Sequence, residues 1–196
     1  MAPYRRPLAV ALLAGAVALV SAALAARRWG GPHGGLVLAH RVGDHTVVMG
    51  WLALFALGAA VLLGLRTVAS RVAFGTPVLV LGVPLVFLYT VLAELAGGQQ
   101  QTESHEAPGR ADRRLVVERG HAMIDPLWYV YVHEGGWPRE RRWAIGYFDG
   151  DNPDNELREA VWTGPDRIRM TTTGGAVLEV TVAPGGRPDR TVSAGW

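Results

Sequence analysis

Three apolar stretches dominate the first half of this 196-residue chain. They cover Pro7–Ala26, Thr46–Leu65 and Thr76–Leu95. Each matches the roughly 20 residues with which an α-helix crosses the hydrocarbon core of a bilayer. A backbone in lipid has no water to bond with, so each span must satisfy its own N–H and C=O groups as a helix. The expected architecture is therefore a three-helix transmembrane region over residues 1–96, a polar linker over 97–112 and a soluble β domain over 113–196. That domain reads as a small antiparallel sandwich, roll or half-open barrel of about six strands.

Charge divides along the same line. Residues 1–96 hold seven Arg and two acids, Asp44 and Glu94; residues 97–196 hold twelve Arg against fifteen Asp and Glu. The net charge of +2 therefore comes from arginines flanking the spans. It is not the basic patch on a soluble face that nucleic-acid binding requires. The chain has no Cys, and every basic residue is Arg. No disulfide, thiol chemistry or Cys-ligated metal is open to it. Exclusive use of Arg, with abundant Ala, Gly and Val, points to a GC-rich bacterial genome.

The first span begins M-A-P-Y-R-R and ends S-A-A-L-A-A-R-R. A basic start and an A-x-A are also features of a signal peptide, with cleavage after Ala25 or Ala26. The apolar run exceeds the usual 7–15-residue core of such a peptide, and Arg27 and Arg28 follow at once. It is read as an uncleaved span. Arginine placement sets orientation. Arg5, Arg6, Arg66, Arg71 and the α-amine lie on one side, and Arg27, Arg28, Arg41 and, farther off, Arg110 on the other, nearly a tie. The first helix and the short connection holding Arg66 and Arg71 decide it, with the N-terminus inside and the β domain outside the cell membrane.

Ala11 and Gly15, then Ala14, Ala18 and Ala22, recur every fourth residue in the first span. Ala56, Ala60 and Gly64 do so in the second. Such spacing lets helices approach closely in lipid, here most simply within the chain. Pro84 removes a backbone donor inside the third span and should distort it locally. Glu94 sits at the end of that span, within reach of headgroup water.

From Arg113 the pattern alternates with period two. The expected strands are Arg114–Arg119, Leu127–Glu134, Arg141–Asp149, Leu157–Thr163, Arg167–Thr173 and Ala176–Ala183. The second and third carry the candidate binding surface: Tyr129, Tyr131, Trp143 and Tyr147, rimmed by Arg141 and His133. A register with His133 opposite Arg141 sets Tyr131 against Trp143 and Tyr129 against Ile145, and lays Trp128 over Gly146. Either the hairpin is central and covered on both sides, or one face is an open aromatic patch.

Other constellations read as structural. The Asp149–Glu156 loop is rich in oxygen ligands, but its Asp, Asn, Gly and Pro also make ordinary turns. The six histidines lack zinc spacing, and the G-G-P-H-G-G of Gly30–Gly35 precedes no strand–helix phosphate cradle. No catalytic or cofactor motif stands out, so neither an enzyme nor a bound cofactor or metal is expected. The leading expectation is a multi-pass membrane protein displaying an extracytoplasmic β domain for binding or sensing. Its partners would be the lipid bilayer and a protein or envelope component. The alternative is an accessory subunit docking through its helices to a larger membrane complex.

Overall fold

The computed structural model describes residues 4–31, 33–95, 97–122 and 125–195. Ala96, the expected domain boundary, and Trp196 lie outside them. The chain forms two compact units. One comprises the apolar helices through residues 28 and 42–94; the other comprises residues 29–41 together with the C-terminal half.

In the first unit, α1 (Arg5–Trp29) and α3 (Thr46–Gly64) are single helices. Between them lie β1 (Gly34–Leu36) and α2 (Val37–Gly43). The third apolar segment is one helical run, Val68–Leu95, built from α4 (Val68–Pro77), a π-helical turn at Val78–Gly82, and α5 (Val83–Leu95). All three runs are long and apolar enough to cross a membrane. The third starts earlier than expected because Thr67 caps it: its hydroxyl accepts from the Ser70 N–H at 3.1 Å. A capped end satisfies a donor that would otherwise be orphaned. Pro84 supplies no N–H to the turn before it, and the helix widens there into the π turn.

Of the expected small-residue positions, Ala60 is buried and Gly64 closely approaches α1. The buried residues are Ala9, Ala16 and Ala26 on α1, and Ala53 and Ala60 on α3. Ala11, Ala14, Gly15 and Ala18 face outward. A Cβ placed on Gly64 would stand 3.3 Å from the Ala9 Cβ, so the backbones are close there. Polar ties join α3 to α5. Thr46 and Tyr89 share a hydroxyl hydrogen bond of 2.7 Å, and the Trp51 indole donates to the Thr90 hydroxyl at 3.1 Å.

The second unit is a two-sheet sandwich of nine strands. Besides β1, the strands are β2 (Gln100–Ala107), β3 (Arg110–Ala122), β4 (Asp125–Glu134), β5 (Arg141–Asp149), β6 (Leu157–Gly164), β7 (Arg167–Thr172), β8 (Val177–Thr181) and β9 (Val192–Ala194). The larger sheet runs β1-β5-β4-β3-β2, with β9 also pairing with β5; the smaller runs β6-β7-β8. Leu115, Val117, Val130, Val132, Ile145 and Phe148 of the first pack against Ala160, Ile168, Met170, Val180 and Val182 around the second. Gly146 lets the sheets close: a Cβ there would meet the Met170 sulfur at 2.9 Å. Met170, rather than Trp128, covers it.

Three strands were not expected. Residues 97–112, read as a linker, contain β2 and the start of β3. β1 and β9 are three residues each. The expected register also changes. His133 lies opposite Arg142, one residue from the expected partner, and a bulge between Val130 and Tyr131 shifts the rest, so that Tyr129 faces Tyr147.

One side chain ties the two sheets at their end. Arg113 on β3 is fully buried. It donates from Nε to Glu134 on β4, from Nη1 to Asp166 and the Pro165 carbonyl in the β6–β7 turn, and from Nη2 to the Ala183 and Pro184 carbonyls. Removing one partner of a buried ionic network costs roughly 3–5 kcal/mol, because the rest remain desolvated. Arg113→Met is expected to destabilise the β unit by about that much in guanidinium unfolding followed by near-UV circular dichroism. Arg169→Ala, which removes an exposed pair with Glu179, should cost below about 1 kcal/mol. Equal losses for the two would deny Arg113 its role.

Candidate functional site

Side chains alternate across a strand, so the larger sheet has a second face turned away from the sandwich core. In register along it stand Arg114, Val116 and Glu118 of β3, His133, Tyr131 and Tyr129 of β4, and Arg142, Ala144 and Tyr147 of β5. An ordinary solvated face would be polar and exposed. Here Val116, Tyr131 and Arg142 are about 1% exposed, and Glu118, His133 and Glu140 are also buried.

The tyrosines form a ladder. Tyr129 stacks nearly parallel to Tyr131, with ring centroids 6.4 Å apart, and meets Tyr147 at 5.2 Å in a tilted pair. The Arg142 guanidinium lies over the Tyr131 ring, 3.9 Å from its centroid. A buried cation gains from the negative face of the ring. It also faces Glu118, with Nη1 3.7 Å from the carboxylate. Burial pushes the Tyr131 hydroxyl up to about 12, so it stays protonated.

At the other end, Glu140 gathers two partners. Its Oε1 accepts from the Arg114 Nε at 3.1 Å and also from Nη2, and it bonds His133 Nδ1 at 3.0 Å. Burial opposes ionisation of Glu140, but Arg114 and His133 together hold it below the usual carboxylate range. Burial pushes the His133 imidazole down to about 4 against the pull of Glu140. The ring is therefore neutral at pH 7, and its bond to the carboxylate places the proton on Nδ1. Its Nε2 is buried without a hydrogen-bond partner among the described residues. A His–Glu pair has the form of a general base, but the nitrogen that would meet a substrate is enclosed.

The six residues expected to form one surface divide. Tyr129, Tyr131, Tyr147 and His133 share this face. Trp143 pairs with Val132 on the opposite face, where a Cβ on Gly186 would lie 3.2 Å from its ring. Arg141 is exposed at the start of β5, and the cation over Tyr131 is its neighbour Arg142. Tyr131 and His133 are buried, while Tyr129 and Tyr147 are half-buried and reach the surface. Sequence reasoning passed over Glu118, Glu140, Arg114 and Arg142. The alternation of Arg114 and Glu118 along β3, and of Glu140 and Arg142 at the start of β5, was a usable signal, but only the register matches acid to base. In the Asp149–Glu156 loop Asp149 and Asn152 act as turn formers: Asp149 accepts from the Asp151 N–H, and Asn152 from the Asp154 N–H. Among the described residues no three His, Asp or Glu side chains are arranged to hold a metal ion. No protein-family model, curated protein or solved structure matches the chain.

The depressed His133 titration has a measurable consequence. An unfolded histidine binds its proton near 6.5, whereas the folded one waits until about 4. Between those values the unfolded chain holds more protons, so stability falls as pH drops through that window. Glu140, held low, adds loss in the same direction below the ordinary carboxylate range. The melting temperature of the parent is expected to decline from pH 6.5 toward pH 4, and His133→Gln to flatten that decline. Parallel profiles for parent and variant would show that the imidazole is not the titrating group.

Proposed function

We propose that this is a non-enzymatic membrane protein that holds its β unit outside the cell membrane for binding or sensing, with Tyr129 and Tyr147 as the centre of the contact surface. The observation that carries the reading is the second face of the larger sheet. A sandwich of this size needs only one face of each sheet for its core, yet this face concentrates three tyrosines and leaves two partly open. Tyrosine combines large contact area with a polar tip, which is why it collects at binding surfaces. Charge pairs beneath it, Arg142 with Glu118 and Arg114 with Glu140, hold the platform rigid.

Topology supports display on one side. β1 lies between the first two apolar helices, yet pairs with β5 at Gly34↔Trp143, Gly35↔Arg142 and Leu36↔Arg141. Three crossings put that connection and the C-terminal half on the same side of a bilayer; two or four would separate them. The arginine distribution favours the outer side. The helices offer less to the accessory-subunit reading, since Gly64 of α3 already approaches Ala9 of α1.

Two experiments test this. A phosphatase active only outside the cytoplasm, fused after Trp196, is expected to be active, and a cytoplasmic reporter at the same place silent. The opposite pair would turn the β unit inward. A photo-crosslinking amino acid at Tyr147 in growing cells should give a discrete adduct that is absent with the probe at Val177, on the smaller sheet. No adduct at Tyr147 or Tyr129 would remove the tyrosine face as a binding surface.

A further inference from the structure

The tip of the β4–β5 hairpin carries the most exposed large apolar side chain of the β unit. Trp137 is 79% exposed, in the turn Gly135-Gly136-Trp137-Pro138-Arg139. The turn is fixed rather than loose: the Arg139 N–H bonds the Gly136 carbonyl at 3.0 Å, and the Gly135 N–H bonds Asp112 at 2.8 Å. An indole held open on an ordered turn is costly in water, and none of the core uses it.

The charge around it is one-sided. Both acids bordering the turn are drawn inward. Glu134 is held by Arg113 and Arg110, and Glu140 by Arg114 and His133. Arg139 and Arg141 remain exposed, and neither meets a carboxylate among the described residues. The tip therefore presents one tryptophan between outward guanidiniums, with its acids neutralised behind it. This pairing suits an anionic interface: the indole sits at headgroup depth, and guanidiniums bind phosphate.

The tip is also paired with the connection between the first two apolar helices. Leu36 pairs with Arg141, and the Val37 N–H bonds the Glu140 carbonyl at 3.0 Å. α1 ends at Trp29 and β1 begins at Gly34. Five residues reach at most about 17 Å. Gly35 shows how tightly the chain returns, since a Cβ there would stand 2.0 Å from the Trp29 carbonyl oxygen.

We infer that the Gly135–Arg141 tip is a lipid anchor, with Trp137 seated among the headgroups of anionic phospholipid and Arg139 and Arg141 on their phosphates. This rests on the membrane placement of the helices proposed above. Each arginine near an anionic leaflet is worth roughly a fivefold gain in local partitioning.

The chain has no cysteine, so a single introduced thiol labels one place. Gly136→Cys leaves Trp137 intact, and a Cβ there meets nothing within 4 Å. The full chain, labelled with an environment-sensitive dye, is reconstituted in vesicles of equal parts phosphatidylcholine and phosphatidylglycerol, with and without acyl-brominated lipid. Phe55→Cys in α3 serves as the membrane control and Val177→Cys as the water control. The dye at 136 should be blue-shifted and quenched, as at 55 and unlike 177. Adding Trp137→Ser, or Arg139→Gln with Arg141→Gln, should reverse most of the quenching. A water-like dye at 136 with quenching at 55 would overturn the anchor and leave the membrane placement standing. No quenching at 55 would overturn both. Quenching at 136 that survives the Trp137 and arginine variants would overturn the roles given to those residues.

Discussion

The buried guanidinium of Arg113 is the tie on which the sandwich depends. A cation of this size taken out of water is tolerable only when its donors are met. Here the acceptors come from three places: the neighbouring strand β4, the β6–β7 turn, and the two carbonyls after β8. No other side chain reaches both sheets through so many polar bonds among the described residues. Hydrophobic burial holds the sheets together but is nondirectional. The Arg113 bonds add direction, fixing which turn of the small sheet sits over which strand of the large one.

The larger sheet then serves two masters. One face is the apolar half of the sandwich core, from Leu115 to Phe148. The other is a layer of tyrosines and paired charges, most of it buried. This duality follows from β3, β4 and β5 being central strands with alternating side chains. In β4, Val130 and Val132 go to the core while Tyr129, Tyr131 and His133 go to the second layer. The layer's polar groups are expensive to bury singly and are therefore built as pairs: Arg142 with Glu118 and Tyr131, Arg114 and His133 with Glu140.

The apolar helices follow a different rule. In lipid there is no gain from hiding leucine, so close backbone approach and satisfied hydroxyls decide packing. The buried positions of α1 and α3 are alanines, and the polar contacts Thr46–Tyr89 and Trp51–Thr90 join α3 to α5. Large side chains such as Phe55 and Leu85 point outward, as a lipid-facing surface allows.

Much of the architecture was legible in the amino-acid order. Length and apolarity located three helices, because a bilayer imposes one length on every span. Period-two alternation located β3 to β8, because a strand with one buried face must alternate. β2 escaped notice for the same reason in reverse: Q-Q-T-E-S-H-E pairs through its backbone and exposes its side chains, so no pattern marks it. β1 and β9 are too short to carry a pattern at all. The three tyrosines of the candidate site could be read from residue type, and all three share a face. What the tertiary structure decided was the register. A one-residue slip moved Trp143 to the opposite face and set Arg142, rather than Arg141, opposite His133, and the bulge at Val130–Tyr131 brought Tyr147 opposite Tyr129. Alternation tells which residues lie on the same side of one strand. Which residues meet across two strands depends on where a bulge forms, and that is settled by packing against the second sheet.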